Sequence, residues 1–131
     1  MKLSTRSRYG ARLMLDLARN YDCGPIHLKD VASREAVSVK YLEQLIIPLK
    51  KQGLVTSIQG PKGGYKLARP PQDITFGQII KVLENSSTLV ECIEDPEACE
   101  RSESCPTRNL WQRASQAMFR ELEACTLADK L

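Results

Sequence analysis

Histidine and tryptophan each occur once in this chain, phenylalanine occurs twice, and aromatic residues make up only 5% of it. A nucleophile–base pair such as Cys–His needs a third group to orient the base, and nothing near His27 supplies one, so no enzymatic activity is expected. No apolar run approaches the roughly 20 residues needed to cross a bilayer. The opening stretch Met1-Lys2-Leu3-Ser4-Thr5-Arg6 has neither an apolar segment nor a small-residue cleavage site. A cytoplasmic protein without a membrane partner is the resulting expectation. The chain also lacks internal repeats and low-complexity tracts, which argues against solenoids and disordered arrays. It has no closely spaced C-x2–4-C pair of the kind that builds structural zinc sites.

What is present is 131 residues of ordinary globular composition, 42% hydrophobic and 27% charged, enough for one domain. A chain of this size leaves apolar surface uncovered, which dimerisation would relieve. The net charge of +3 hides a division. Residues 1–69 carry 13 Lys/Arg against 5 Asp/Glu, whereas residues 70–131 carry 6 against 11. The first part is suited to a polyanion and the second to another task.

Apolar spacing predicts a helix from Ser4 to about Asn20, with Tyr9, Leu13 and Leu17 on its stripe, stopped by Asp22-Cys23-Gly24-Pro25. A short helix over Leu28–Arg34 follows, then a turn at Glu35–Val37. A third helix runs from Val39 to about Gln52, with Ser38 as its N-cap and Gly53 beyond its end. Pro48 lies inside it, so a kink or an early end is expected there. Two β-like runs, Leu54–Gln59 and Tyr65–Arg69, flank Gly60-Pro61-Lys62-Gly63-Gly64 and form a hairpin. Pro70-Pro71 makes a stiff break. Thr75 caps a helix over Phe76–Glu84, residues 85–106 read as a loop, and a long helix spans about Thr107 to Ala124 with Leu110, Trp111, Ala114, Met118 and Leu122 as its stripe. The fold expected is mainly α with a small β-hairpin: a winged helix-turn-helix in residues 1–69, and a loop with dimerisation helices in residues 70–131, forming one compact domain.

That order of elements suits duplex DNA. The third helix offers short polar residues near its N-terminus, where base edges in the major groove are reached. Lys40 matches a phosphate or a guanine edge, Gln44 an adenine and Glu43 a cytosine. A carboxylate also repels phosphate, so Glu43 makes sense mainly as a discriminator. The hairpin tip brings Lys62 and Lys66 to a groove wall, and affinity should fall steeply with salt. The candidate DNA-binding set is Ser38, Lys40, Tyr41, Glu43 and Gln44 on the third helix, Gln59, Gly60 and Lys62 on the hairpin, and Arg6 and Arg8 on the first helix.

Three of the five cysteines, Cys92, Cys99 and Cys105, fall within 14 residues of an acidic loop. Soft thiolates suit iron–sulfur clusters, zinc or copper(I), and the wide spacing fits a cluster near the surface. Three unliganded thiols are the alternative, although free cysteine usually behaves as a small buried hydrophobe, a poor match to Glu91, Glu94, Asp95, Glu97, Glu100 and Glu103. A thiol oxidoreductase using Cys99 or Cys105 is a rival of another class. It needs a lowered thiol pKa, and surrounding carboxylates should raise one. A metal-free module whose acidic loop recruits a protein is a further rival. Cys125 is expected in the core on the last helix, and Cys23 is an ordinary thiol in a turn.

Arg8-Tyr9-Gly10, Met14-Leu15-Asp16, Tyr41-Leu42-Glu43-Gln44-Leu45, Lys51-Gln52-Gly53-Leu54-Val55 and Gly60-Pro61-Lys62-Gly63-Gly64-Tyr65 together resemble the IscR-type winged-helix transcriptional regulators. The resemblance runs through nearly the whole chain. It implies a homodimer whose recognition helices read a pseudo-palindromic operator, crossed by long C-terminal helices, with Glu43 governing discrimination when the cluster is lost. It implies a cluster held by Cys92, Cys99 and Cys105, 2Fe–2S ahead of 4Fe–4S, and a repressor or activator sensing iron, oxygen or redox state to control iron–sulfur cluster biogenesis genes. A 4Fe–4S member tuned to nitric oxide or iron is the alternative. Members that sense through cysteine metabolism resemble the chain elsewhere but lack the three cysteines. The chain departs from the family at three points. Gln59 stands where the wing has a minor-groove arginine. Arg108, in Cys105-Pro106-Thr107-Arg108-Asn109-Leu110-Trp111, stands where a ligating histidine is found. Arg8 replaces an acidic residue that nitric-oxide sensors lend from the partner's first helix. Arginine stays protonated and does not ligate iron. A local carboxylate, solvent or the other subunit would complete the ligand set, leaving a labile cluster.

Overall fold

The computed structural model describes residues 2–131 (Met1 lies outside them) and contains six α-helices and one two-stranded antiparallel hairpin. The helices are α1 (Thr5–Arg19), α2 (Leu28–Glu35), α3 (Val39–Lys51), α4 (Phe76–Glu84), α5 (Glu91–Glu94) and α6 (Arg108–Glu123). The strands β1 (Val55–Ile58) and β2 (Gly64–Leu67) pair with Val55 opposite Leu67 and Ile58 opposite Gly64. The mainly helical winged architecture expected from the sequence is therefore present.

Local chemistry sets the helix starts. Ser4 and Ser38 cap α1 and α3 by accepting from the N–H of Ser7 and Tyr41. Thr75 and Gln78 form a reciprocal capping box at α4. Between α2 and α3 the chain turns at Ala36, which adopts the left-handed conformation (φ 54°). Each helix contributes residues at 3–4 spacing to a common core: Leu13, Met14 and Leu17 from α1, Val31 from α2, Leu42, Leu45 and Leu49 from α3, Ile79 and Leu83 from α4. Burying each such side chain stabilises the fold by about 1.5–3 kcal/mol.

Two expectations are corrected. Of the kink or early end expected at Pro48, the early end does not occur, since the helix continues to Lys51. Proline removes one rung of the ladder, but Ile46 and Leu49 on either side are buried, and their packing holds the helix. Cys125 is half-buried beyond the end of α6 rather than in the core, and its carbonyl accepts from the Phe76 N–H at 2.9 Å. The C-terminal residue that enters the core is Leu127, whose N–H donates to the Ile74 carbonyl at 2.9 Å.

The helix-turn-helix is pinned by a buried carboxylate. Asp16 of α1 is 2% exposed and accepts from Arg34 Nη2 at 2.6 Å and Nε at 2.8 Å. The Asp16 hydrogen bonds hold the Arg34 guanidinium above its ordinary pKa. On the far side of α1, α4 packs closely because Gly10 leaves room for the Leu83 side chain; a Cβ there would collide with it. Glu84 at the end of α4 accepts from the Ser4 N–H at 2.8 Å and from the Ser7 hydroxyl at 2.7 Å.

The Ser7 and Ser4 hydrogen bonds hold the Glu84 carboxyl below its ordinary value of 4.5. A carboxylate with a depressed folded pKa stabilises above its unfolded value, and the contribution is lost as pH falls through the folded one. Glu84→Gln should therefore cost about 0.5–1 kcal/mol at pH 7, with the difference from the unmodified chain shrinking as pH drops below about 4.5. Urea unfolding at pH 7 and pH 3.5 checks this; a constant difference would contradict it.

Candidate nucleic-acid interface and thiol loop

Four of the five candidates on α3 are exposed: Ser38, Lys40, Glu43 and Gln44. The Ser38 oxygen is already engaged as the N-cap, accepting from the Tyr41 N–H at 3.1 Å. Tyr41 is half-buried, and its ring meets Tyr9 edge-on at 5.9 Å and 89°. Arg12 lies 5.0 Å over the Tyr9 ring and pairs with Glu35 at 3.0 Å. Tyr41 thus sits in an aromatic and cationic stack that sets the angle of α3 on α1. The sequence reading did not single out Tyr9 or Arg12 for this role. Ile47, 65% exposed, follows Lys40 and Gln44 along the same face at 3–4 spacing. That spacing was the available signal for it, and its side chain suits the methyl group of a thymine.

At the wing, Gln59, Gly60 and Lys62 are exposed at the hairpin tip, while Arg6 and Arg8 are exposed on the first turns of α1. The turn needs glycine, because a Cβ at Gly63 would strike the Ile58 carbonyl. Ile26 and Tyr65 exchange N–H···O bonds of 2.8 Å in both directions, anchoring the wing to the segment before α2.

The thiols lie on the opposite part of the chain. Cys92 is half-buried in α5, Cys99 is exposed after the turn Pro96–Ala98, and Cys105 is half-buried before α6. Among the described residues no three His, Cys, Asp or Glu side chains converge closely enough to hold a metal ion. The donor types nevertheless fit a soft metal group: three thiols on one surface loop, one of them with its pKa lowered. The Thr107 hydroxyl and N–H lower the Cys105 thiol, with smaller help from Arg101. The expectation that acidic neighbours raise these thiols is therefore not met at Cys105, where the hydrogen bonds from Thr107 lower the pKa. The Thr107 oxygen is 3.2 Å from Cys105 Sγ.

The loop is fastened by hydrogen bonds that the sequence did not disclose. Arg108, at the position where the resemblance places a ligating histidine, donates through Nη2 to the Cys92 carbonyl at 3.0 Å. Buried Ser102 donates to the carbonyls of Pro96 and Cys99. Buried Ser115 of α6 accepts from the Leu89 N–H at 2.7 Å. Along α6 itself Leu110 is 52% and Trp111 39% exposed, and Ser115 is the buried residue, so its apolar stripe lies outside the core.

A family model for Rrf2, described as an iron-dependent transcriptional regulator, matches residues 3–131. The chain belongs to the Rrf2 family. It is 47% identical over 129 residues to protein rrf2 of Nitratidesulfovibrio vulgaris, covering 98% of this chain and 86% of that protein. Among solved structures it is similar to T. potens IscR, with 40% identity and a TM-score of 0.80 over 99% of this chain and 85% of the other. It is equally similar in fold to CymR, the global cysteine regulator of B. subtilis, with 43% identity and a TM-score of 0.80 over 98% and 95%. The chain is therefore a transcriptional regulator of a DNA-binding family, and the resemblance to IscR-type proteins read from its motifs holds. Its relatives are regulators rather than enzymes. Among the described residues no helix is long and apolar enough to cross a membrane.

Substitution separates the roles expected at the interface. Gln44→Ala should relax base preference by about 1–3 kcal/mol at one position of the operator. Lys62→Ala should weaken specific and random duplexes alike and reduce the salt slope by about 1. Fluorescence anisotropy titrations at several salt concentrations check both; equal losses on both duplexes for both variants would contradict the assignment.

Proposed function

We propose that this Rrf2-family regulator is a homodimer that binds a pseudo-palindromic operator through residues 1–69 and responds to an iron–sulfur cluster, 2Fe–2S ahead of 4Fe–4S, held by Cys92, Cys99 and Cys105. The observation that carries the reading is three thiols on one loop fastened to α6 by the Arg108–Cys92 contact and leading directly out of α4. When bound, the cluster supplies a link among the thiolates that iron supply, oxygen or nitric oxide can break.

On the DNA side, Lys40, Glu43 and Gln44 read base edges, with Ser38 and Tyr41 at the head of α3. Gln59, Gly60 and Lys62 approach the neighbouring groove, and Arg6 and Arg8 add charge from α1. The apolar stripe of α6, exposed at Leu110 and Trp111, is the surface on which two copies meet, which sets the spacing of two recognition helices at about 34–36 Å. A change in loop shape is passed through Arg108 to α6 and through α4 to α1. Incomplete ligation by the protein, with Arg108 in place of a ligating side chain, makes the cluster easy to lose. Regulation of iron–sulfur cluster biogenesis genes, from the cytoplasm, is the role this design suits.

The likeness to CymR favours a second reading, in which the same fold answers to cysteine metabolism and the thiols hold no metal. One measurement separates the two: the visible spectrum of the protein purified without oxygen, with iron and sulfide quantified on the same sample. Bands between about 300 and 600 nm with stoichiometric sulfide are expected, and the iron count distinguishes the two cluster forms. Protein that stays colourless after reconstitution would remove the cluster and leave the cysteine-linked reading. The triple Cys92→Ser, Cys99→Ser, Cys105→Ser variant should be colourless yet still bind DNA.

A further inference from the structure

A cleft of about 580 Å³ lies where the end of α3, the exit of β2 and α4 meet. Its volume falls in the range of small-molecule sites. Its polar lining is Lys51, Gln52, Arg69, Gln78, Lys81 and Asn85, three cations and three amides without a carboxylate. Among the described residues the ion pairs are Arg12–Glu35 and Arg34–Asp16, so these three cations have no anionic partner.

Helix ends explain part of this. Lys51 and Lys81 lie in the last turns of α3 and α4, where the helix dipole favours cations. Arg69 is not at a helix end; it lies two residues beyond β2. Its Nη2 reaches Gln78 Oε1 at 3.3 Å, an oxygen already accepting the Thr75 N–H at 3.0 Å in the capping box. Its Nε has no hydrogen-bond partner and is closed off from solvent, so an occupant of the cleft would meet the guanidinium through its Nη groups. A guanidinium offers its donors as a fixed fork matched to carboxylate or phosphate, and a buried donor left unpaired is costly.

We propose that this cleft binds a small organic dianion, a phosphate monoester or a dicarboxylate, which the Arg69 fork engages and Lys51 and Lys81 neutralise. The DNA phosphate backbone is a poor candidate for the same place. Lys51 is about 16 Å along the α3 axis from Lys40, at the end remote from the base-reading residues. An occupant would join the recognition helix to α4, whose C-cap Asn85 opens the thiol loop. It would act as an effector whose affinity and that of DNA change by the same factor. Neither the thiols nor a cluster take part in its binding, so this inference stands or falls separately from the cluster.

The test is thermal unfolding of the full chain with inorganic phosphate, glycerol 3-phosphate or succinate, against potassium chloride at equal ionic strength. At tenfold the dissociation constant, at least one organic anion should raise the midpoint by about 3–8 °C. The rise should vanish in Arg69→Gln, shrink in Lys51→Gln and Lys81→Gln, and persist in Lys29→Gln and in the triple cysteine variant. Glycerol 3-phosphate and succinate distinguish the two anion types. Circular dichroism shows whether Arg69→Gln is folded, and the two lysine variants decide the matter if it is not. No rise with any anion, or an undiminished rise in all three cleft variants, overturns the proposal. So does a loss of random-duplex binding in those variants as large as that in Lys62→Ala, which would make the cleft part of the DNA footprint.

Discussion

The close approach of α4 to α1 is the contact on which the rest of this molecule depends. Gly10 makes it possible by presenting no side chain to Leu83, and the Glu84 carboxylate ties α4 to the first turn of α1 through Ser4 and Ser7. On its other flank α1 carries the Asp16–Arg34 pair and the Tyr9–Tyr41 stack, which position α2 and α3. One helix therefore contacts both α3, the proposed base-reading element, and α4, from which the thiol loop departs. A protein interior is close-packed, so movement of α4 cannot be absorbed locally and must be shared with α1.

This arrangement gives physical content to regulation in an Rrf2-family protein. The basic residues proposed to meet DNA and the acidic, thiol-bearing loop are far apart in sequence, yet α3 and α4 pack against each other and both pack on α1. Arg108 illustrates how one substitution within a family pattern changes a part's use. A guanidinium cannot coordinate iron, but it donates to the Cys92 carbonyl and fastens the loop to the head of α6. In the proposed cluster reading, holding the loop by hydrogen bonds, rather than by a fourth protein ligand, suits a group that is meant to be lost. The cleft around Arg69 lies on the same route, at the junction of α3 and α4.

Much of the fold was legible because its signals are local. Thr75 announced the start of α4, Ser38 the start of α3, and Gly63-Gly64 the hairpin turn. The early end allowed for at Pro48 does not occur because burial of Ile46 and Leu49, a tertiary effect, outweighs the local rule. Leu127 gave no signal, lying past the end of the last helix and outside its apolar stripe. The site divides in the same way. Cysteine spacing and the charge division stand out in the sequence. The Glu84–Ser7 and Arg108–Cys92 contacts join residues 77 and 16 positions apart, beyond the reach of any periodicity.

The central claim is that the state of the thiol loop governs DNA binding, and operator affinity tests it most directly. One preparation should be titrated with operator duplex at fixed salt, first as purified without oxygen and then after its iron has been removed. The account predicts that affinity, or the preference between operator and random duplex, changes by about 5- to 150-fold, the usual range for coupled sites. Identical affinity and identical preference in the two states would contradict it.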